Sequence, residues 1–165
     1  MAQRPRHDRA LQLWMWLLAM EVGYEIRGLS SAMDRLDDVA ARSLGLHRTD
    51  LRCLGLLIRR GTMRPSDLAA AMGLSDGGLS IALRRLERAG YIRREGHPGD
   101  RRGVVVFATE QAVTDAQRVF GALEKRMGLV VGSLRSEEQE LVRHFMVEIR
   151  RAIEDQSTDS QEELL

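Results

Sequence analysis

Between Pro65 and Arg102 the sequence reads PSDLAAAMGLSDGGLSIALRRLERAGYIRREGHPGDRR, and few folds accommodate that succession. Pro65 suits the first turn of a helix, where its missing N–H costs nothing. Leu68, Ala69 and Met72 form the inward face of that helix, and Gly73 stops it. Gly73, Leu74 and Ser75 make a short turn, and Ser75 caps a second helix that runs to Ala89 and ends at Gly90. Ala69 is small enough for close helix approach, Gly73 makes the turn, and Leu79 anchors the second helix. A β-type run from Tyr91 to Arg94 and the β-branched Val104-Val105-Val106-Phe107 then pair antiparallel across the loop Glu95 to Asp100. Helix, tight turn, helix and hairpin together make a winged helix-turn-helix.

The flanks are helical on a longer scale. Residues 1–9 are polar and contain proline, which predicts a loose arm. From Ala10, Leu11, Met15, Leu18, Val22, Ile26, Leu29, Met33, Leu36 and Ala40 follow at steps of four and three. Such a seam repeats close to every 3.5 residues and suits helices packed along their length. Leu44-Gly45-Leu46 closes it. Thr49 then caps a helix with Leu51, Leu54, Leu57 and Ile58 inward, ended by Arg59-Arg60-Gly61. Thr109 opens a long helix with Ala112, Ala116, Phe120, Leu123, Met127, Val130 and Leu134 on one face. Ser136 with Gln139 is a capping-box pair before the last helix, which buries Leu141, Val142, Phe145, Ile149 and Ile153.

A helix of about 30 residues exceeds what one small lobe can bury, so packing against a partner copy follows. The expected class is mainly α (α+β). Residues 46–109 form the winged helix-turn-helix, 10–45 and 110–155 the helical dimerisation region, and 156–165 an acidic frayed tail. Leu11, Met15, Leu18, Phe120, Leu123, Met127, Phe145 and Ile149 are the expected dimer contacts.

Net charge of +1 conceals a division. Leu46 to Phe107 holds twelve Arg against six acidic residues, +6, whereas Ser136 to Leu165 holds three against nine, −6. A basic middle implies a polyanionic partner. The apolar run Leu11 to Met20 is about half the length that crosses a bilayer, so no membrane role is expected. A single cysteine cannot form an internal disulfide and fits a cytoplasmic setting. With four scattered histidines it gives no metal-ligand spacing, and no cofactor is expected.

The chemistry therefore concentrates on one helix and one hairpin. Leu79, Leu83 and Leu86 are the buried stripe of the second helix, and Asp76, Gly77, Ser80, Arg84 and Arg88 lie opposite. Ser75, Asp76 and Ser80 can reach base edges or phosphates, and Arg84 can bind guanine or phosphate. Gly77-Gly78 costs a helix about 1 kcal/mol per glycine, which close approach of DNA or of a neighbouring helix would justify. Arg93, Arg94, Arg101 and Arg102 flank the hairpin tip Gly96-His97-Pro98-Gly99, placed to follow phosphates or enter a narrow minor groove. Asp100 can pair with one guanidinium and aim it.

RTDLRCLGLL, SDLAAAMGLSDGGLSIALRRLERAGYIRR and PGDRRGVVVFAT together resemble the MarR (multiple antibiotic resistance regulator) family of bacterial transcription factors. The matching motifs cover about Leu46 to Thr109, and the Asp-Arg-Arg wing is their most specific part. The resemblance implies that Arg102 enters the minor groove and that Asp100 holds the wing. It also implies a homodimer on a palindromic double-stranded site, usually repressing, often released by a small aromatic or lipophilic effector. Phe107-Ala108-Thr109 departs mildly from the family's Leu-Thr at the wing exit.

Trp14, Tyr24 and Cys53 are candidates for lining an effector cleft. Trp14, Trp16 and Tyr24 also suit a core or an interface, and Cys53 a packed thiol without a redox role. Two other readings stay open. A winged-helix module that binds only protein is opposed by the central +6 charge. An enzyme is opposed by the absence of a nucleophile–base–acid set, phosphate loop or metal cluster.

Overall fold

A computed structural model describes the backbone of residues 6–97 and 100–162, and the side chains of 11–96 and 103–156. The order is α1 (Arg6–Leu44), α2 (Arg48–Arg60), α3 (Pro65–Met72), α4 (Asp76–Arg88), β1 (Ile92–His97), β2 (Asp100–Ala108), α5 (Glu110–Gly132) and α6 (Ser136–Glu162). Helix dominates, with one two-stranded sheet, and the α-rich winged-helix class holds. Two compact units divide the chain, Met1–Val119 and Phe120–Leu165.

The core of the first unit is the meeting of three amphipathic helices with the sheet. Leu54 and Leu57 of α2, Leu68 of α3, Leu83 and Leu86 of α4, Ile92 of β1 and Val106 of β2 are all nearly or fully buried. Burial of each such side chain contributes about 1.5–3 kcal/mol, so this cluster holds the helix-turn-helix rigid. Gly73 adopts the left-handed conformation, φ 63°, between α3 and α4. Gly90, φ 75°, does the same between α4 and β1. A side chain at either position would be strained, so both turns depend on glycine.

The hairpin pairs Ile92 with Ala108 and Arg94 with Val106, and its register shifts between Gly96 and His97. Both strands exceed their expected lengths, because ladder hydrogen bonds carry β1 to His97 and start β2 at Asp100. Val106 also exchanges two backbone hydrogen bonds with Met63 in the α2–α3 connection, at 2.8 and 3.0 Å.

Several ends differ from expectation. Helix α1 starts at Arg6, because residues 6–9 are polar but contain nothing that breaks a helix; residues 1–5 lie outside the described ones. Helix α2 is capped by His47 rather than Thr49, without a side-chain hydrogen bond. Arg48, its first residue, is instead drawn to Asp34 and Asp38 on α1, so a tertiary ion pair sets this end. Helix α6 begins at Ser136 itself, one residue earlier than a Ser136 cap implies. Glu138 turns back to accept the Arg135 N–H at 2.8 Å and the Arg135 guanidinium at 2.7 Å, which also lowers its pKa. Nor does α6 end near residue 155: it continues to Glu162, since its acidic and polar residues include neither proline nor glycine; residues 163–165 of the expected tail lie outside the described ones.

In the second unit Phe120, Leu123 and Ile149 are half-buried, while Leu129, Val130, Leu141, Val142, Phe145 and Met146 are exposed. Leu11, Leu13, Trp14, Met15, Trp16, Leu17 and Leu18 are exposed on α1. No described helix is long and apolar enough to cross a membrane.

Candidate nucleic-acid interface

Helix α4 divides cleanly into two faces. Leu79, Ala82, Leu83 and Leu86 are buried, and Ser75, Asp76, Gly77, Ser80, Arg84 and Arg88 are exposed. Ser75 Oγ accepts the Gly78 N–H at 3.2 Å, so its hydroxyl caps the helix. Arg84, Arg88 and Arg93 are exposed and form no ion pair with any described residue. Arg94 differs: its Nε lies 3.3 Å from Glu87 Oε2, tying β1 to α4. The backbones of Asp100, Arg101 and Arg102 belong to β2. Their side chains lie outside the described residues.

Neither glycine of the Gly77-Gly78 pair is required by packing within the chain. A Cβ at Gly77 would meet nothing within 4 Å, and one at Gly78 would meet only Ser75 Oγ at 3.4 Å. Of the two explanations offered by the sequence, a neighbouring helix is therefore removed for the described residues.

Three elements support the base of the hairpin. The Met63–Val106 bridge comes from the α2–α3 connection, and Glu87–Arg94 comes from α4. The third is the start of α5. Thr109 donates its N–H to the Tyr91 carbonyl at 3.0 Å and its hydroxyl to the Gly90 carbonyl at 2.8 Å. The same hydroxyl accepts the Ala112 N–H, so one threonine caps α5 and clamps the α4–β1 turn.

Two buried carboxylates were not among the expected site residues. Asp50 is only 1% exposed and receives two hydrogen bonds from Arg85, Nε to Oδ2 at 2.7 Å and Nη2 to Oδ1 at 2.6 Å. Arg84 thus faces outward while its neighbour Arg85 turns back to α2. The signal was present in sequence: Asp50 falls on the stripe of Leu54 and Leu57, where an ionised group requires a partner. Asp115 is buried on α5, with Gln111 Nε2 2.6 Å from Oδ2 and Arg118 Nη1 3.0 Å from Oδ1.

The candidate cleft residues lie in unlike settings. Trp14 and Tyr24 are exposed on α1, whereas Cys53 has no exposed surface and sits in the core cluster. Burial, followed by the Asp50 charge, pushes the Cys53 thiol up to about 11. A packed, protonated thiol is what this position holds. Among the described residues no group of three or more His, Cys, Asp or Glu side chains could hold a metal ion.

Comparison with known proteins agrees with this geometry. Residues 44–103 match the model of the MarR family. The chain is 35% identical over 107 residues to the uncharacterized HTH-type transcriptional regulator YcgE of Bacillus subtilis, covering 65% of this chain and 70% of that protein. It is 32% identical over 145 residues to the B. subtilis regulator YfiV, covering 85% and 83%. Among solved structures, a MepR mutant from S. aureus superposes with a TM-score of 0.67 at 20% identity, covering 80% of this chain and 96% of that one. Another MepR mutant, bound to an oligodeoxyribonucleotide, gives 0.54 at 21% identity, covering 80% and 97%.

Proposed function

The chain belongs to the MarR family of transcriptional regulators, and from that premise we propose that it acts as a homodimer on a palindromic DNA site. The observation that carries this reading is the division of α4, with one face sealed into the core and the other offering to solvent arginines that have no ion pair among the described residues. Ser75, Asp76, Gly77, Ser80, Arg84 and Arg88 meet the major groove, while Arg94, Arg101 and Arg102 follow phosphates or the adjacent minor groove. Asp100 aims the wing. That a MepR mutant has been solved with an oligodeoxyribonucleotide supports this assignment.

Leu11, Met15, Leu18, Phe120, Leu123, Met127, Phe145 and Ile149 form the dimer contact, which sets the distance between two half-sites. Exposed apolar side chains on α1 and α6 support that role, since water is a poor neighbour for so many of them. The regulator represses, and a small aromatic or lipophilic effector near Trp14 and Tyr24 releases it. Cys53 leaves this set, because it has no surface to offer.

Arg102→Ala tests the wing directly. Operator affinity should fall by about 10- to 100-fold, the salt slope should become shallower by about one per lost phosphate contact, and Tm should hold. Wild-type affinity in that variant would remove the wing from the interface. Gly77→Ala probes the helix end. Alanine should add up to about 1 kcal/mol of stability in urea unfolding, because the site is open and helical. The same variant should bind the operator more weakly, since the added methyl occupies space reserved for the DNA. Unchanged binding would mean that this glycine marks no close approach.

A further inference from the structure

Both ends of the hairpin and the first turn of α5 meet at one residue, Thr109. The hairpin is entered through the left-handed Gly90 and through Tyr91, whose N–H donates to the Leu86 carbonyl of α4 at 2.9 Å. It is left through Ala108, the partner of Ile92. Beyond that last rung, the Thr109 N–H donates to the Tyr91 carbonyl at 3.0 Å, and the Thr109 hydroxyl to the Gly90 carbonyl at 2.8 Å. The same oxygen accepts the N–H of the fully buried Ala112 at 3.2 Å. One half-buried residue thus bonds the α4–β1 turn, the exit strand and the helix together.

Capping α5 requires only an acceptor, and an aspartate would do that as well. What a threonine adds is a proton, and here the proton goes to the turn rather than to α5. The hairpin needs such a tie. Its other supports each hold one strand: Met63 holds β2 at Val106, and Glu87 holds β1 through Arg94. Arg102 lies seven residues before Thr109 on a strand that starts at Asp100, roughly 20 Å at the usual strand rise. A tilt of about 5° at the base would move that end by about 2 Å, whereas a hydrogen bond to a phosphate tolerates about 0.5 Å.

We infer that Thr109, through its hydroxyl, is a positioning residue for the wing. By tying the Gly90 carbonyl to the start of α5 it fixes the direction in which the hairpin leaves α4, and so where the wing arginines meet DNA. This rests on the DNA-binding reading above. Thr109 itself touches no DNA in this scheme and acts only through the α4–β1 turn.

A double-mutant cycle on the full chain tests this, using as probe a DNA fragment selected by the wild-type protein from a random-sequence pool. Thr109→Val keeps the shape and removes the hydroxyl. It should weaken binding about tenfold and make the salt slope shallower, as loss of a wing contact does. Thr109→Ser, which keeps the hydroxyl, should stay within about twofold of wild type. In an Arg102→Ala background Thr109→Val should have less than about a twofold effect, because a wing without its arginine gains nothing from correct aim. Thr109→Gly repeats the test should the valine variant not fold, since glycine is a tolerated cap that lacks the proton. The inference fails if the variant without a hydroxyl binds as wild type. It fails equally if that variant loses the same factor in both backgrounds at an unchanged salt slope, as loss of the cap alone would produce. Wild-type affinity in Arg102→Ala would instead take the wing off the DNA, and this inference with it.

Discussion

Raising salt from about 50 to about 200 mM should weaken operator binding by about three orders of magnitude or more. The arginines on the proposed face set the size of this effect. Arg84, Arg88 and Arg93 carry no ion pair among the described residues, Arg94 is shared with Glu87, and Arg101 and Arg102 follow in the wing. In a dimer these are doubled. If half of them neutralise phosphates, about six counterions leave the DNA on binding, and log K falls with log salt at a slope near −5. Fluorescence anisotropy at four or five salt concentrations measures that slope. A protein-interaction module without DNA affinity would show no comparable slope on DNA, so a nearly flat line would favour that reading over ours.

The second large effect concerns the fold, and it is asymmetric. Arg85→Ala should cost about 3–5 kcal/mol, because it leaves the Asp50 carboxylate, 1% exposed, without a counter-charge. Asp50→Ala should cost only about 1–3 kcal/mol. The Arg85 side chain is 36% exposed and can turn its guanidinium toward water once the carboxylate has gone. The double variant should resemble Asp50→Ala, since the stranded charge is absent from both. Urea unfolding reads all three, provided the m-value stays constant. Equal costs for the two single variants would show that the pair is hydrated more evenly than its geometry indicates.

The helix-turn-helix was legible almost residue by residue, and the reason is local. Pro65, Gly73, Ser75 and Gly90 each impose a backbone state that depends little on the rest of the molecule, and each stands where expected. The exposed face of α4 was legible too, because Leu79, Leu83 and Leu86 leave only one side for Asp76, Ser80, Arg84 and Arg88. What escaped depends on partners distant in sequence. His47 rather than Thr49 caps α2 because Arg48 reaches Asp34 and Asp38. Asp50 falls on the stripe of Leu54 and Leu57, but nothing near it in sequence singles out Arg85, 35 residues away, as its partner. The outer ends of α1 and α6 were underestimated for another reason: polarity was taken for looseness, although Arg, Asp, Glu and Gln all tolerate helix well.

The Met63–Val106 bridge has a consequence for how the protein behaves while it is being made. Val104-Val105-Val106-Phe107 is the stretch best suited to stacking into intermolecular β-structure. At Val106 that strand is bonded on both sides, to Arg94 in β1 and to Met63. A second molecule therefore meets no open edge there. On the outer edge of β1, Arg93, Arg94 and Glu95 are exposed and charged. Charges on an edge strand repel the same charges on an incoming copy, which is how natural sheets avoid growing into fibrils. The same arginines that suit the hairpin to a polyanion therefore also guard its most aggregation-prone strand.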